Sequence, residues 1–213
     1  YTEWQTNPEI VAVNKLPQHA TLMPYENFDE AKKADRYAST RCKLLNGKWK
    51  FKLYKNYAYR PSDFAQPHYD SHNWDSVIVP CSWQMQGYDQ AQYCNVRYPW
   101  EGSEDICPPN APTKHNPVGC YLKRIHINEA VLSKRVVLCF EGVESAFYLY
   151  VNGERVGYSE STFNRSEFDI SRYLVEGSNV IGVEVYRWCT GSWLECQDMW
   201  RLSGIFRDVY IYT

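Results

Sequence analysis

The chain has 213 residues, with 23 Lys or Arg and 25 Asp or Glu, and its formal net charge is −2. This length predicts one domain with a short appendage, large enough to bury a hydrophobic core. Because no basic run stands out and the apolar stretches are strand-sized, the sequence excludes a transmembrane helix and disfavours a nucleic-acid or membrane partner.

Residues 1–41 show little hydrophobic periodicity and are predicted to form an extended arm with one short helix. Asn27 is a suitable N-cap for this helix. Glu30 follows three residues later, which is the spacing of a capping box. A helix is therefore predicted to begin directly after Asn27.

From Lys48 onward the hydrophobic pattern has a period of two, which is typical of β-strands. Asn152-Gly153 predicts a hairpin turn between two of these strands, Phe147–Val151 and Val156–Tyr158. The proline-rich stretch Pro99–Val118 is predicted to be a loop over the rim of the fold. Together with Val156–Tyr158, the predicted strands are Lys48–Tyr54, Val77–Val79, Tyr121–Ile127, Val136–Phe140, Ala146–Val151, Val180–Tyr186 and Val209–Tyr212.

Many short strands with turn residues between them predict an all-β fold, an antiparallel β-sandwich. In one strand Tyr121, Ile125 and Ile127 share a face on which only Lys123 is polar, while Arg124 and His126 lie on the other. This alternation places the first face in the core.

The eight cysteines include no CxxC pair, so no zinc site is predicted. A chain of this size folds without disulfides, and the thiols are predicted to be mostly unpaired. Unpaired thiols favour a cytoplasmic protein over a secreted one. The chain begins at Tyr1 rather than Met, however, so a removed signal peptide stays open as well.

The segment 186–209 connects two predicted strands and is the most unusual part of the sequence. It contains three tryptophans together with Glu195, Asp198, Arg201 and Arg207. A connection this long is costly to order unless it packs against the fold or binds a ligand. Residues 197–201 read Gln-Asp-Met-Trp-Arg, and residues 203–209 read Ser-Gly-Ile-Phe-Arg-Asp-Val.

These two strings resemble a near-signature sequence of the N-terminal, sugar-binding domain of glycoside hydrolase family 2 β-galactosidases. The resemblance covers essentially the whole chain in the same order. It implies a jelly-roll sandwich of eight strands, galactose-binding-domain-like, over residues 42–213. The other matching strings are Leu45–Gly47 with Trp49 and Phe51, Ser82–Met85, Gly87–Asp89, Tyr93, Asn95–Val96, Tyr98–Pro99, Asn116–Pro117, Gly119–Tyr121, Phe140–Val143, Ser145–Phe147 and Ser166–Asp169.

The resemblance also implies the activity of a larger parent enzyme, which hydrolyses terminal β-galactosyl groups of lactose-like β-galactosides with retention. Retention normally needs two carboxyl groups about 5–5.5 Å apart. The family carries both in a (β/α)8 barrel downstream of this region. We therefore expect no catalytic residue in this chain, and we do not assign Glu195 and Asp198 as the pair. The implied partners are the galactoside, the barrel domain of the same polypeptide, and further copies in a homo-oligomer.

Two substrate-binding residues follow from the resemblance, Asn95 and Asp198. An amide suits a pair of hydroxyl groups because it carries two donors and one acceptor. Asp198 is implied to contact the galactosyl group and to help hold a monovalent cation, usually Na⁺, with residues outside this chain. Mg²⁺ is expected in the parent enzyme but not on this chain. Cys196 stands where the best-known relative has an acid, which changes the local charge.

Alternatives remain open for both residues and for the function. Asn95 could bond its own backbone in a turn, and Asp198 could pair with Arg201 or Arg207. The protein could also be a free-standing carbohydrate-binding module, or the same domain from a β-glucuronidase or β-mannosidase. The string at residues 197–201 favours a galactoside. Trp49 is predicted to lie in the core, whereas Trp83, Trp100, Trp193 and Trp200 are predicted to fasten loops or to cover the barrel.

Overall fold

The computed structural model describes residues 2–195 and 197–213, and antiparallel strands dominate it. The α-helices are α1 (Glu3–Thr6), α2 (Phe28–Lys32), α3 (Glu129–Leu132) and α4 (Ser192–Glu195), with 3-10 turns at Arg36–Ala38, Tyr57–Tyr59, Trp83–Gln86 and Ser171–Tyr173. The strands are β1 (Ala12–Val13), β2 (Cys42–Leu44), β3 (Gly47–Tyr54), β4 (Asp75–Val79), β5 (Gln92–Cys94), β6 (Val118–Ile127), β7 (Val137–Phe140), β8 (Val143–Glu144), β9 (Ala146–Val151), β10 (Glu154–Ser159), β11 (Ser166–Asp169), β12 (Gly177–Tyr186), β13 (Met199–Arg201), β14 (Gly204–Ile205) and β15 (Val209–Tyr212).

Two antiparallel sheets carry the fold, which confirms the predicted all-β class. The larger sheet has the order β1-β10-β9-β12-β6-β3-β4, and the smaller one has the order β11-β7-β15-β2. The pairs β13-β5 and β14-β8 form separate two-stranded ribbons. The strand count differs from the eight that the resemblance implies. Strands of two to four residues are added at sheet edges and in ribbons, and they are too short to give a period-two signal.

The long strands lie close to their predicted positions, and the predicted turn between β9 and β10 is confirmed. Asn152 and Gly153 have φ angles of 51° and 84°. This left-handed pair matches the twist of a two-residue hairpin. The Asn152 carboxamide also accepts a hydrogen bond from the backbone N–H of Val180 at 2.9 Å, so the turn is tied to β12.

The main core fills the space between the two sheets. Tyr121, Ile125 and Ile127 of β6 point into it, as their shared face predicts. Ile181, Val183 and Val185 of β12 lie on the same side. Their opposing layer comes from the smaller sheet, with Leu138, Phe140, Phe168, Val209 and Ile211.

The opposite face of the larger sheet is also buried, which the alternating pattern does not predict. Phe64, Ala65 and Trp74 cover it through a second apolar cluster. A Cβ at Gly182 would lie 2.6 Å from the Cβ of Ala65, so only glycine allows this approach. Glu184 is 1% exposed on this face. Its carboxylate is compensated by Arg60, whose Nε lies 2.7 Å away.

The N-terminal arm is docked onto the sandwich and has two short α-helices rather than the one predicted. Asn27 caps α2 as expected, because its Oδ1 accepts from the Glu30 N–H at 2.9 Å. The capping box is not closed, since the Glu30 carboxylate accepts from the Glu26 N–H. Helix α1 has four residues and no side-chain cap, so it left no sequence signal. Its Trp4 is fully buried and stacks on Tyr186 with ring centroids 4.7 Å apart.

No helix in the described part of the chain is long and apolar enough to span a membrane. The seven cysteines at positions 42, 81, 94, 107, 120, 139 and 189 are unpaired. Cys196, the eighth, lies outside the described residues.

Candidate functional site

The two predicted binding residues lie at the end of one ribbon, formed by β5 and β13 and called the ribbon below. Its register pairs Trp200 with Tyr93 and Met199 with Cys94. Asn95 directly follows Cys94 and Asp198 directly precedes Met199, so both residues lie at the end of the ribbon that this last pair closes. The fold therefore brings together two residues that are far apart in the sequence.

Asp198 is exposed at the open end of the ribbon and has a positive φ of 48°. Its Oδ1 accepts a hydrogen bond from the hydroxyl of Tyr93 at 2.7 Å. That bond and the carboxylate charge raise the pKa of the Tyr93 phenol, because a phenolate beside a carboxylate is disfavoured. The carboxylate is thus oriented from within the ribbon and keeps a face open to solvent.

The alternative ion pair for Asp198 is not found among the described residues. Arg201 donates from Nη2 to the carbonyl of Cys94 at 3.2 Å. Arg207 donates from Nη1 to the carbonyl of Phe163 at 3.0 Å. Both guanidinium groups therefore hold backbone segments instead of neutralising Asp198.

Asn95 lies in the bend that follows β5 and is exposed. Its side chain makes no hydrogen bond to any other residue that the structure describes, so the turn-forming alternative is not seen there. An exposed amide without an internal partner keeps both donors and its acceptor for a ligand.

Buried arginines hold the ribbon on both strands. Arg201, at the end of β13, is 1% exposed and contacts β5 through the Cys94 carbonyl. Arg187, which follows β12, is 4% exposed and forms an ion pair with Asp89. It also donates to the carbonyl of Gln90 and to Oε1 of Gln92, both at 3.0 Å.

An aromatic cluster fastens the loops behind the ribbon. Trp100 and Trp188 are almost fully buried, and Tyr98 and Trp193 pack on them. The indole N–H of Trp193 donates to the carbonyl of Asn110 at 2.8 Å, which ties helix α4 to the proline-rich loop. The predicted loop-fastening role thus holds for Trp100 and Trp193. Trp83 is fully buried in the main core.

Large apolar side chains remain exposed around the ribbon. Trp200 is 60% exposed and packs against Tyr93, with ring centroids 5.5 Å apart. Val96 is 86% exposed beside Asn95. Such a concentration of exposed apolar residues is typical of a surface that another protein segment covers.

The surroundings of two other acidic residues near the ribbon, Glu195 and Glu144, are explained by the fold itself. Glu195 accepts from the N–H of Thr162 at 3.1 Å and from its hydroxyl at 2.7 Å. Burial raises the pKa of Glu144 to about 8, and the nearby Glu195 charge adds to this. The described residues contain no group of three or more His, Cys, Asp or Glu that could hold a metal ion. The exposed Asp198 carboxylate is a chemically suitable single oxygen ligand for a cation.

The chain resembles known proteins along its whole length. Residues 42–213 match the family model described as "Glycosyl hydrolases family 2, sugar binding domain". The chain is 52% identical to a β-galactosidase of Priestia megaterium over 100% of its own residues and 21% of that relative. It is 47% identical to a β-galactosidase of Halalkalibacterium halodurans, covering 99% of this chain and 20% of the relative. The chain thus spans about a fifth of the length of these curated relatives.

A third relative is a "Beta-galactosidase large subunit" of Lactobacillus helveticus, 43% identical over 97% of this chain and 34% of the relative. Among solved structures, a β-glucuronidase of Bacteroides uniformis superposes with a TM-score of 0.59 at 19% identity. A β-glycosidase of Bacteroides vulgatus superposes with a TM-score of 0.56 at 22% identity. Each covers 80% of this chain, and the match spans 17% and 20% of the two structures respectively. At these identities the superpositions show the shared fold.

The sequence assigns no role to Tyr93 or Arg187, and it offers Arg201 only as an ion-pair partner of Asp198, although all three residues position the ribbon. Tyr93 stands within the matching strings, and its place two residues before Asn95 was the available signal. Nothing local marks Arg187, because its partners lie almost a hundred residues earlier in the chain.

Proposed function

The chain belongs to glycosyl hydrolase family 2 as its sugar binding domain, and from this premise we propose that it completes the substrate site of a β-galactosidase. The parent enzyme hydrolyses terminal, non-reducing β-D-galactosyl groups of lactose-like substrates with retention. The observation that supports this proposal is that Asn95 and Asp198 both lie at the exposed end of the ribbon, next to its last pair Cys94–Met199. Both side chains have hydrogen-bonding groups left for sugar hydroxyls, and an apolar surface surrounds them.

The catalytic carboxyl groups belong to a downstream barrel domain of the same polypeptide. The Priestia megaterium and Halalkalibacterium halodurans relatives are about five times as long as this chain, consistent with a further domain. Contact with that domain accounts for the exposed apolar side chains of the ribbon, since interfaces between domains bury such surfaces. Trp200, Met199 and Val96 would lie in this contact. A homo-oligomer of the parent enzyme is part of the same proposal.

Asp198 serves as one ligand of a monovalent cation, Na⁺, in the completed site. A carboxylate oxygen is a suitable ligand for such an ion, and Tyr93 fixes its direction. When bound, the cation offsets the carboxylate charge and can accept a sugar hydroxyl as a further ligand. Mg²⁺ belongs to other parts of the parent enzyme.

Two variants of the full-length polypeptide test the proposal, Asn95→Ala and Asp198→Asn. A lost hydrogen bond to a charged group is worth about 1.5–3 kcal/mol, so kcat/KM should fall roughly tenfold to a hundredfold in Asp198→Asn. The neutral Asn95 amide is worth about 0.5–1.5 kcal/mol, so Asn95→Ala should lose up to about tenfold. Asp70→Asn is the matched control, because Asp70 is also exposed and, among the residues that the structure describes, bonds only to His72. Unchanged kcat/KM in both test variants would contradict the proposal.

The second candidate is a free-standing carbohydrate-binding module, favoured by the exposed Trp200 and Tyr93 rings. A sugar pocket normally buries most of its ligand, and the ribbon offers only one wall. The chain alone should therefore bind lactose very weakly and should not hydrolyse aryl β-galactosides. Calorimetric titration with lactose separates the candidates, because micromolar affinity of the chain alone would favour the module.

A further inference from the structure

The ribbon is not hydrogen-bonded to either large sheet, so something else must fix its direction. Within the described residues, β5 and β13 pair only with each other. The base of the ribbon is attached at Ser203, whose carbonyl accepts from the N–H of Trp83 at 2.9 Å. This backbone contact follows β13 in the chain and anchors that strand. It does not anchor β5, which must be held by side chains.

Arg187 is built into the rigid part of the fold. It directly follows β12, which is paired on both sides, with β6 and with β9. Its own N–H donates to the carbonyl of Pro117 at 3.0 Å, and its carbonyl accepts from the Ser145 hydroxyl at 2.9 Å. The side chain lies over the ring of Trp188, 4.9 Å from the centroid. The backbone of Arg187 is therefore fixed in position, and the contact with Trp188 fixes the direction of its side chain.

The hydrogen bonds that this guanidinium makes within the described residues run toward the segment that leads into β5. Asp89 pairs with Nη1 and adopts a positive φ of 59°, while Nη2 reaches the Gln90 carbonyl and the Gln92 side chain. Gln92 is the first residue of β5, and Asn95 lies three residues further along. Arginine suits this task because its planar donors can hold several acceptors at once.

We propose that Arg187 is a positioning residue that ties the end of β12 to the ribbon and thereby directs Asn95 and Asp198 at the substrate. The consequence for catalysis rests on the proposed function, whereas the tie itself is a property of this chain. Arg187 does not touch the sugar. It acts through Asp89 and Gln92.

An open cleft of about 590 Å³ borders this contact and makes the proposal testable by substitution. Its lining includes Arg187, Asp89, Gln90, Gln92 and Trp100. Removing the guanidinium enlarges a space that solvent already enters, so the sandwich core stays filled. Methylguanidinium added to the solution can enter the same space and replace the missing group.

Hydrogen exchange of this chain tests the tie directly. In Arg187→Ala, exchange of the peptides covering residues 89–95 and 199–201 should rise about tenfold or more, while β6 and β12 keep their protection. Arg187→Lys should restore part of the protection, and methylguanidinium should restore part of it in Arg187→Ala only. Asp89→Asn should loosen the same peptides, and it keeps the proposal testable if Arg187→Ala does not fold.

Arg60→Ala is the matched control, since Arg60 is also largely buried and ion-paired but on the outer face of the larger sheet. It should leave exchange of the ribbon at the wild-type rate. Unchanged ribbon exchange in both Arg187→Ala and Asp89→Asn, or an equal rise over the whole chain, overturns the proposal.

The full-length polypeptide then separates this proposal from the proposed function. If both are correct, Arg187→Ala lowers kcat/KM about tenfold, and Arg187→Lys or methylguanidinium recovers part of the loss. If the ribbon loosens and kcat/KM does not change, the tie is established and the proposed function is contradicted. If the ribbon does not loosen, the tie is contradicted whatever the kinetics show.

Discussion

The hydroxyl of Tyr93 donates to the carboxylate of Asp198 across the ribbon at 2.7 Å. This bond orients the Asp198 carboxylate at the open end of the ribbon, and the carboxylate in turn raises the pKa of the phenol. A change at one of these two residues should therefore be detectable at the other.

Replacing Asp198 by Asn should lower the pKa of Tyr93 toward its ordinary value. The carboxylate stabilises the neutral phenol by accepting its proton in a hydrogen bond and opposes formation of a second negative charge. An amide has no charge and removes that opposition. NMR titration of tyrosine-labelled chain measures the change. Tyr88, whose pKa is raised to about 12 by burial and Asp75, is the internal control and should not shift. An unchanged Tyr93 titration would show that the bond is not formed in solution.

Trp4→Ala should destabilise the chain strongly although Trp4 lies in the arm. Truncating a fully buried tryptophan typically costs about 3–5 kcal/mol, through lost apolar burial and the cavity left behind. Trp200→Ala is the matched control because Trp200 is 60% exposed in this chain. Urea unfolding of both variants gives the comparison. Equal, small losses in free energy of unfolding would mean that the arm is not docked.

Glu144→Gln should change how stability depends on pH. The folded pKa of Glu144 is raised to about 8, so the folded chain holds a proton there that the unfolded chain releases from about pH 4.5 upward. The contribution of Glu144 to the free energy of unfolding therefore falls as the pH rises from about 4.5 to 8. The Glu144→Gln variant should not show this decrease in stability, and it should be more stable than wild type above pH 8. Parallel stability curves for the two proteins between pH 5 and 9 would contradict this environment for Glu144.

Local patterns in the sequence predict the long strands and the hairpin because these depend on neighbouring residues. The alternation in β6 and the Asn152-Gly153 turn both lie within a few residues. The docking of the arm could not be predicted in this way. Trp4 is buried against Tyr186, far away in the chain, and the four residues of α1 carry no periodic signal.

The functional site likewise has a part that the sequence predicts and a part that it does not predict. A family resemblance predicts Asn95 and Asp198 as binding residues, whereas the ribbon register that brings both to the same end is visible only in the fold. The contacts of Arg187 with Asp89 and Gln92 join segments separated by nearly half the chain. Side-chain contacts of that range leave no spacing pattern in a single sequence.

The most direct test of the account is a comparison of monodeoxy galactosides in the full-length polypeptide. The kcat/KM of wild type, Asn95→Ala and Asp198→Asn is measured for the parent aryl galactoside and for analogues that each lack one hydroxyl. If a residue contacts a hydroxyl, its substitution costs about tenfold or more with the parent sugar but little once that hydroxyl is absent. The account predicts such a coupled hydroxyl for both Asn95 and Asp198. The same loss on every analogue would show that neither residue contacts the sugar and would contradict the ribbon as a wall of the substrate site.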